Sequence, residues 1–241
     1  MPRHTGAAAQ ISSTDVLFCA HLPVVTAFNV RKSQKLAVAR GNIFVISAPS
    51  GSGKSTLIKR LMAGYSRLCF SISFTTRAPR VNEKDGRDYF FVTREIFEGM
   101  VERGEFVEWA DVYGHLYGTA RQQLQAAQEV GQDILLDIDV QGHQQVRQRI
   151  PEAISVFILP PSFAELSRRL RERHSDAPDE IERRLETARK EIGHWAEYDY
   201  LVVNDRLPPA TQALRAIVQA GGFRRTCQAG RVKQIIGTFG G

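Results

Sequence analysis

The stretch Ile43-Phe-Val-Ile-Ser47-Ala48-Pro49-Ser50-Gly51-Ser52-Gly53-Lys54-Ser55-Thr56 decides how the whole chain reads. Its first five residues form an unbroken apolar run with β-branched members, the pattern of a strand covered on both faces of a parallel sheet. The next eight match the phosphate-loop pattern Gly-x-x-x-x-Gly-Lys-Ser/Thr, with Ala48 at the first glycine, and Thr56 follows. Gly51 and Gly53 let backbone N–H groups curl around an anion, and the loop opens a helix whose N-terminus favours phosphate. A chance glycine-rich turn would lack the strand before and the helix after. Ala48, Pro49, Ser50, Gly51, Ser52, Gly53, Lys54, Ser55 and Thr56 are therefore the expected contacts of ATP or GTP. Lys54 would reach the terminal phosphates and the Ser55 hydroxyl would ligate Mg²⁺.

Similar apolar runs recur downstream: Asp133-Ile-Leu-Leu-Asp-Ile-Asp139, Ile154-Ser-Val-Phe-Ile-Leu159 and Tyr200-Leu-Val-Val203. Helical periodicity fills residues 55–63, 119–130, 141–149, 162–173 and 179–195. Strands alternating with helices predict an α/β fold, a doubly wound parallel sheet. Residues 73–109 break the rhythm. They hold short strand-like pieces at 88–92 and 105–109 around a helix capped by Thr93, which predicts a small mixed α+β insert. Asp137 and Asp139 end a strand at the edge where doubly wound folds bind ligands. Either could hold Mg²⁺, directly or through water, or a substrate amine; either could instead cap the following helix.

With 241 residues the chain needs no disulfide or metal staple, and its ordinary composition excludes collagen-like and low-complexity classes. No apolar run reaches the roughly 18 residues of a membrane span. Cys19, Cys69 and Cys227 have no metal or disulfide spacing and suit a reducing compartment, the cytoplasm. The net charge of +6 invites a nucleic-acid reading, but residues 1–40 and 222–241 each carry +4 and the body between them −2. Basicity confined to the two ends is no nucleic-acid footprint. Residues 1–40 lack periodicity and read as a disordered extension, faintly like a transit peptide. Residues 222–241 read as a basic tail.

The insert carries the decisive motifs. Phe70-Ser-Ile-Ser-Phe-Thr-Thr-Arg77-Ala-Pro-Arg80, Asp85-Gly-Arg-Asp-Tyr89-Phe-Phe, Gly104-Glu-Phe-Val-Glu108-Trp-Ala, Tyr113-Gly-His-Leu-Tyr117-Gly-Thr119 and Leu136-Asp-Ile-Asp139-Val-Gln-Gly142 follow one another. In order and spacing they resemble the guanylate kinase family, over roughly residues 42–220. The resemblance implies a P-loop kinase with domain limits near 41–221, a GMP-binding insert at about 73–119 and a helical arginine lid at about 169–184. It implies the substrates ATP and GMP, Mg²⁺ as cofactor, and no nucleic-acid or membrane partner, in a monomer or small homo-oligomer.

By the same resemblance Arg77, Arg80, Tyr89 and Tyr117 hold the GMP phosphate. Glu108, with Ser73, Gly118, Thr119 and Asp139, reads guanine. Arg169, Arg173 and Arg184 lie over the ATP phosphates, and Asn204 nears the adenine pocket. Two guanidinium groups three residues apart suit a phosphate dianion, and a carboxylate can accept guanine's N1–H and 2-amino group together. On their own, Tyr89 between phenylalanines reads as core, Glu108 as a solvated strand residue, and the lid arginines as a basic helix face with pairs such as Glu180–Arg184. Departures from the family pattern are His174 after Arg173, Val81-Asn-Glu-Lys84 before the Asp-Gly turn, His115-Leu before Tyr117, and Arg206 after Asn204-Asp205. The rival readings are an interaction module that has lost catalysis, argued against by the intact Lys54-Ser55, and a kinase of another monophosphate.

Overall fold

The computed structural model describes residues 40–172 and 178–239; the expectations for residues 1–39, Arg173 and His174 lie outside them. The chain runs β1 (Ile43–Ser47), α1 (Lys54–Met62), β2 (Leu68–Phe70), β3 (Phe74–Thr75), β4 (Phe90–Phe91), α2 (Arg94–Glu102), β5 (Phe106–Val112) and β6 (His115–Ala120). It continues through α3 (Arg121–Glu129), β7 (Asp133–Asp137), α4 (Val140–Arg149), β8 (Ile154–Leu159), α5 (Phe163–Arg171) and α6 (Pro178–Glu191). A 3-10 helix (Ile192–Glu197), β9 (Tyr200–Val203), α7 (Leu207–Gly221) and α8 (Arg225–Gly237) complete it.

Five parallel strands lie in the order β2-β7-β1-β8-β9, with β1 at the centre. The apolar run of β1 is buried throughout because alternate side chains enter two different cores. Phe44 and Ile46 pack with Leu57 and Leu61 of α1 and Leu214 of α7. Ile43 and Val45 face the other way, toward Leu124 of α3 and Val146 of α4. Strand order reverses beside β1, so the loop after it opens at the sheet's carboxyl edge, where such folds bind ligands.

The insert forms a second sheet, ordered β4-β3-β6-β5, over a small core of Phe97, Met100, Phe106 and Leu116. Thr93 caps α2 as expected, its hydroxyl accepting the Ile96 N–H at 3.3 Å. Several boundaries differ from the sequence reading. The helix expected over residues 119–130 begins at Arg121, because Thr119 and Ala120 pair with Glu108 and Phe106 in the β5–β6 hairpin. The strand expected over 133–139 stops at Asp137, and Asp139 becomes the N-cap of α4. The helix expected over 179–195 ends at Glu191 and tightens into the 3-10 turn, in which Gly193 lies. Strands β2, β3 and β6 and helix α7 were not foreseen; α7 starts at Leu207-Pro208-Pro209, where proline at the first turn costs no hydrogen bond. The basic tail is largely the exposed helix α8.

Candidate active site

The phosphate loop owes its shape to two glycines in the left-handed region, Gly51 at φ +91° and Gly53 at φ +85°. Gly53 is needed twice over: a Cβ there would stand 2.4 Å from Nδ2 of Asn204. That amide donates to the Ser52 carbonyl at 2.8 Å, so buried Asn204 braces the loop from behind. Arg169 supports the brace in turn, donating from Nη2 to the Asn204 carbonyl at 3.0 Å and from Nε to Glu165 at 2.7 Å. Asn204 and Arg169 thus lie behind the loop and outside the cavity that its front face opens.

That cavity holds about 520 Å³ and is lined by residues 48–56 on one side and by Ser73, Arg80, Tyr89, Glu108 and Tyr117 on the other. Lys54 Nζ lies 2.6 Å from Asp137 Oδ1 and donates to the Ile138 carbonyl at 3.3 Å. Anionic phosphate would compete with Asp137 for this ammonium. Asp139 also lines the cavity, its Oδ1 accepting the Gly142 N–H at 2.8 Å. The two alternatives weighed for this carboxylate are therefore compatible: it caps α4 and faces the ligand space at once.

Glu108 lies on β5 at the cavity floor, only 3 % exposed. The Thr119 hydroxyl across the hairpin donates to its Oε1 at 2.5 Å. Its Oε2 has room because Gly142 faces it; a Cβ on Gly142 would come within 2.6 Å. Burial pushes the carboxyl up to about 7, with Asp139 adding to the rise and the Thr119 bond opposing it. Gly118 serves packing, since a Cβ there would strike Phe106 and Phe97 at about 3 Å.

Tyr89 and Tyr117 stand edge to face, ring centroids 5.8 Å apart, and both line the cavity. Arg77 lies behind them. Its Nε donates to the Tyr117 hydroxyl at 3.2 Å, its Nη1 to the Ala78 carbonyl at 2.7 Å, and its carbon Cζ sits 5.4 Å from the Tyr89 ring centroid. Arg80 reaches the cavity directly.

Arg184 enters from α6 with Thr187 and Glu191, spaced three and four residues apart so that one helix face looks onto the loop. Sequence reasoning passed over Glu191. Burial pushes its carboxyl up to about 7 against the pull of Lys54. It also passed over Glu83, paired with Arg77. The signal available was heptad spacing from Arg184 for the first, and the Arg77-to-Glu83 interval for the second.

A phosphate loop at the switch point, an arginine-bearing helix above it and a buried carboxylate opposite define a P-loop phosphotransferase with a second, polar substrate. The guanylate kinase family model matches residues 40–221. Guanylate kinase of Dechloromonas aromatica is 49 % identical over 79 % of this chain and 95 % of its own length. That of Koribacter versatilis is 53 % identical over 77 % of this chain and 81 % of its own. The crystal structure of guanylate kinase from Anaplasma phagocytophilum superposes with a TM-score of 0.64 at 34 % identity, covering 78 % of this chain and 89 % of that one. The chain belongs to the guanylate kinase family.

Proposed function

We propose that the protein transfers the γ-phosphoryl group of ATP to the phosphate of GMP, giving ADP and GDP. One observation carries the acceptor half: a carboxylate, Glu108, is buried at the floor of the cavity that the phosphate loop opens into. Guanine presents N1–H and a 2-amino group side by side, and one carboxylate accepts both. Adenine has an acceptor at N1, so it would leave a buried charge facing a lone pair, which costs several kcal/mol, on the order of a thousandfold in use or more. Ser73, Thr119 and Asp139 complete this edge, with Thr119 acting through Glu108.

Arg80 and the Tyr89 and Tyr117 hydroxyls hold the acceptor phosphate, with Arg77 orienting Tyr117 and adding positive charge. No general base is required, because a phosphate monoester is largely ionised near pH 7 and its oxygen is already a nucleophile. The loop amides of residues 51–56 cradle the donor's phosphates. Lys54, exchanging Asp137 for phosphate, and Arg184 from the lid helix neutralise the charge that spreads over the moving group. The family resemblance assigns Arg173 to the same field, whereas Arg169, paired with Glu165, acts on the loop through Asn204. Asn204 positions the loop on the adenine side.

Ser55 and Asp137 fit a Mg²⁺ ion. Both line the cavity, and a hydroxyl with one carboxylate suits a cation that keeps several waters and binds mainly phosphate oxygens. Bound there, Mg²⁺ would offset phosphate charge. Among the described residues no helix is long and apolar enough to cross a membrane. Cys227 is a free thiol, which suits the reducing cytoplasm, where we place the reaction.

The test is ADP formation from ATP and Mg²⁺ with GMP, AMP, CMP or UMP supplied separately. Turnover with GMP alone is expected. Preference for another monophosphate would overturn the role given to Glu108, and silence with all four would overturn the kinase reading.

A further inference from the structure

Arg77 and Arg80 stand on a loop with little regular structure of its own, yet an arginine pair must be held still to orient a phosphate. Glu83 is what holds it. Both its carboxylate oxygens lie 2.9 Å from Arg77 Nη2, and its Oε2 accepts the Arg80 backbone N–H at 2.8 Å. Its own N–H donates to the Arg80 carbonyl at 3.0 Å, closing the turn between them. The pair is shielded, with side chains 14 % and 19 % exposed. Burial opposes the charge on Glu83, but the Arg80 N–H and the Arg77 guanidinium outweigh it and keep the carboxyl below its ordinary range.

The other edges of Arg77 are fixed too. Its Nε donates to the Tyr117 hydroxyl, leaving that hydroxyl's proton free to point into the cavity. A chain therefore runs from Glu83 through Arg77 to Tyr117, and a second arm runs from Glu83 to the backbone of Arg80. We propose that Glu83 is a positioning residue for the acceptor phosphate: it sets the orientation of Arg77, through it the donor direction of Tyr117, and the register of Arg80. The opposite arrangement is a placeholder, in which Glu83 occupies the arginine until phosphate displaces it. The geometry favours the brace, because Glu83 takes Nη2 of Arg77 while Nε stays bonded to Tyr117, and because it ties itself to the Arg80 main chain, which phosphate cannot replace.

This inference rests on the reading of the insert as an acceptor site, but not on the base being guanine. The experiment is therefore run with whichever monophosphate the wild type phosphorylates; a wild type that uses none refutes the functional reading before Glu83 is tested. Glu83→Gln keeps the size and an acceptor for Arg80 N–H, and Glu83→Ala removes both. For Glu83→Ala, kcat/KM for the monophosphate should fall about 10- to 100-fold, as expected for losing charge-assisted bonds. KM for ATP should stay within about twofold, and Glu83→Gln should recover part of the loss. In the Arg77→Ala background the same substitution should cost much less, because its main partner is gone. Equilibrium binding of the monophosphate, measured calorimetrically without ATP, should weaken in parallel. Tighter binding in Glu83→Ala would establish the placeholder and overturn the brace. An undiminished loss in the Arg77→Ala background, or an equal rise in KM for both substrates, would overturn it as well.

Discussion

Replacing Glu108 by Gln should make the free protein more stable and the enzyme worse. The carboxyl is 3 % exposed and raised from 4.5 to about 7. At about 1.4 kcal/mol per pH unit, ionising it in place costs the fold about 3 kcal/mol above pH 7. The folded state binds this proton more tightly than the unfolded chain does. Its contribution is therefore fully present below pH 4.5 and is lost as pH rises through 7. Gln at this position still accepts from Thr119 and never ionises. Urea denaturation should accordingly show wild type and Glu108→Gln closest near pH 4.5, with the variant gaining up to about 3 kcal/mol by pH 8. Glu191 carries a shift of the same sign, also to about 7, so wild-type slope alone is ambiguous and only the difference between the proteins reports Glu108. The same variant should lose about a hundredfold or more in kcat/KM for GMP, since an amide cannot accept both guanine donors, while ATP affinity holds. Guanine should draw the proton off Glu108, so calorimetry in buffers of differing ionisation enthalpy should find about half a proton released per GMP bound at pH 7. A stability difference that does not grow with pH would refute the buried-charge argument. Equal weakening of GMP and ATP would refute the assignment to guanine.

Gly142→Ala puts a Cβ within 2.6 Å of Glu108 Oε2 and 3.1 Å of its Cδ, so the buried carboxylate must shift; stability should fall by about 1–3 kcal/mol, while KM for GMP rises about tenfold. Steady-state kinetics beside thermal melts would separate the two effects. In Gly53→Ala the strain of φ +85° combines with a 2.4 Å clash on Asn204 Nδ2; a loss of about 2 kcal/mol or more and failure to bind ATP are expected, read by denaturation and nucleotide titration. His143 is 1 % exposed, stacked on Tyr198 at 3.8 Å, and burial pushes it down to about 4. Its neutral form is the folded one, so its share of stability is complete above pH 6.5 and falls by about 3 kcal/mol toward pH 4. His143→Phe should remove that acid-side loss, and unchanged acid sensitivity in urea titrations would contradict it.

Local chemistry determined the parallel core and the phosphate loop. The run at β1 is apolar at every position, which only burial on both faces explains, and Gly51, Gly53, Lys54 and Ser55 act within one turn of chain. Thr93 capping α2 belongs to the same class, since donor and acceptor are three residues apart. Helix α7 escaped because its two prolines look like a stop until they are placed at a first turn. Thr119 looked helical because the hairpin pairing that claims it comes from Glu108, eleven residues away, and pairing register is not written in either strand alone. Only the tertiary structure decided the depth of the site. It buried Glu108 and raised its proton affinity, turned Asn204 and Arg169 to the back of the loop, and set Arg77 behind Tyr117 with Glu83 as its partner. Burial and proton affinity are sums over neighbours brought from distant segments, so no single stretch of sequence contains them.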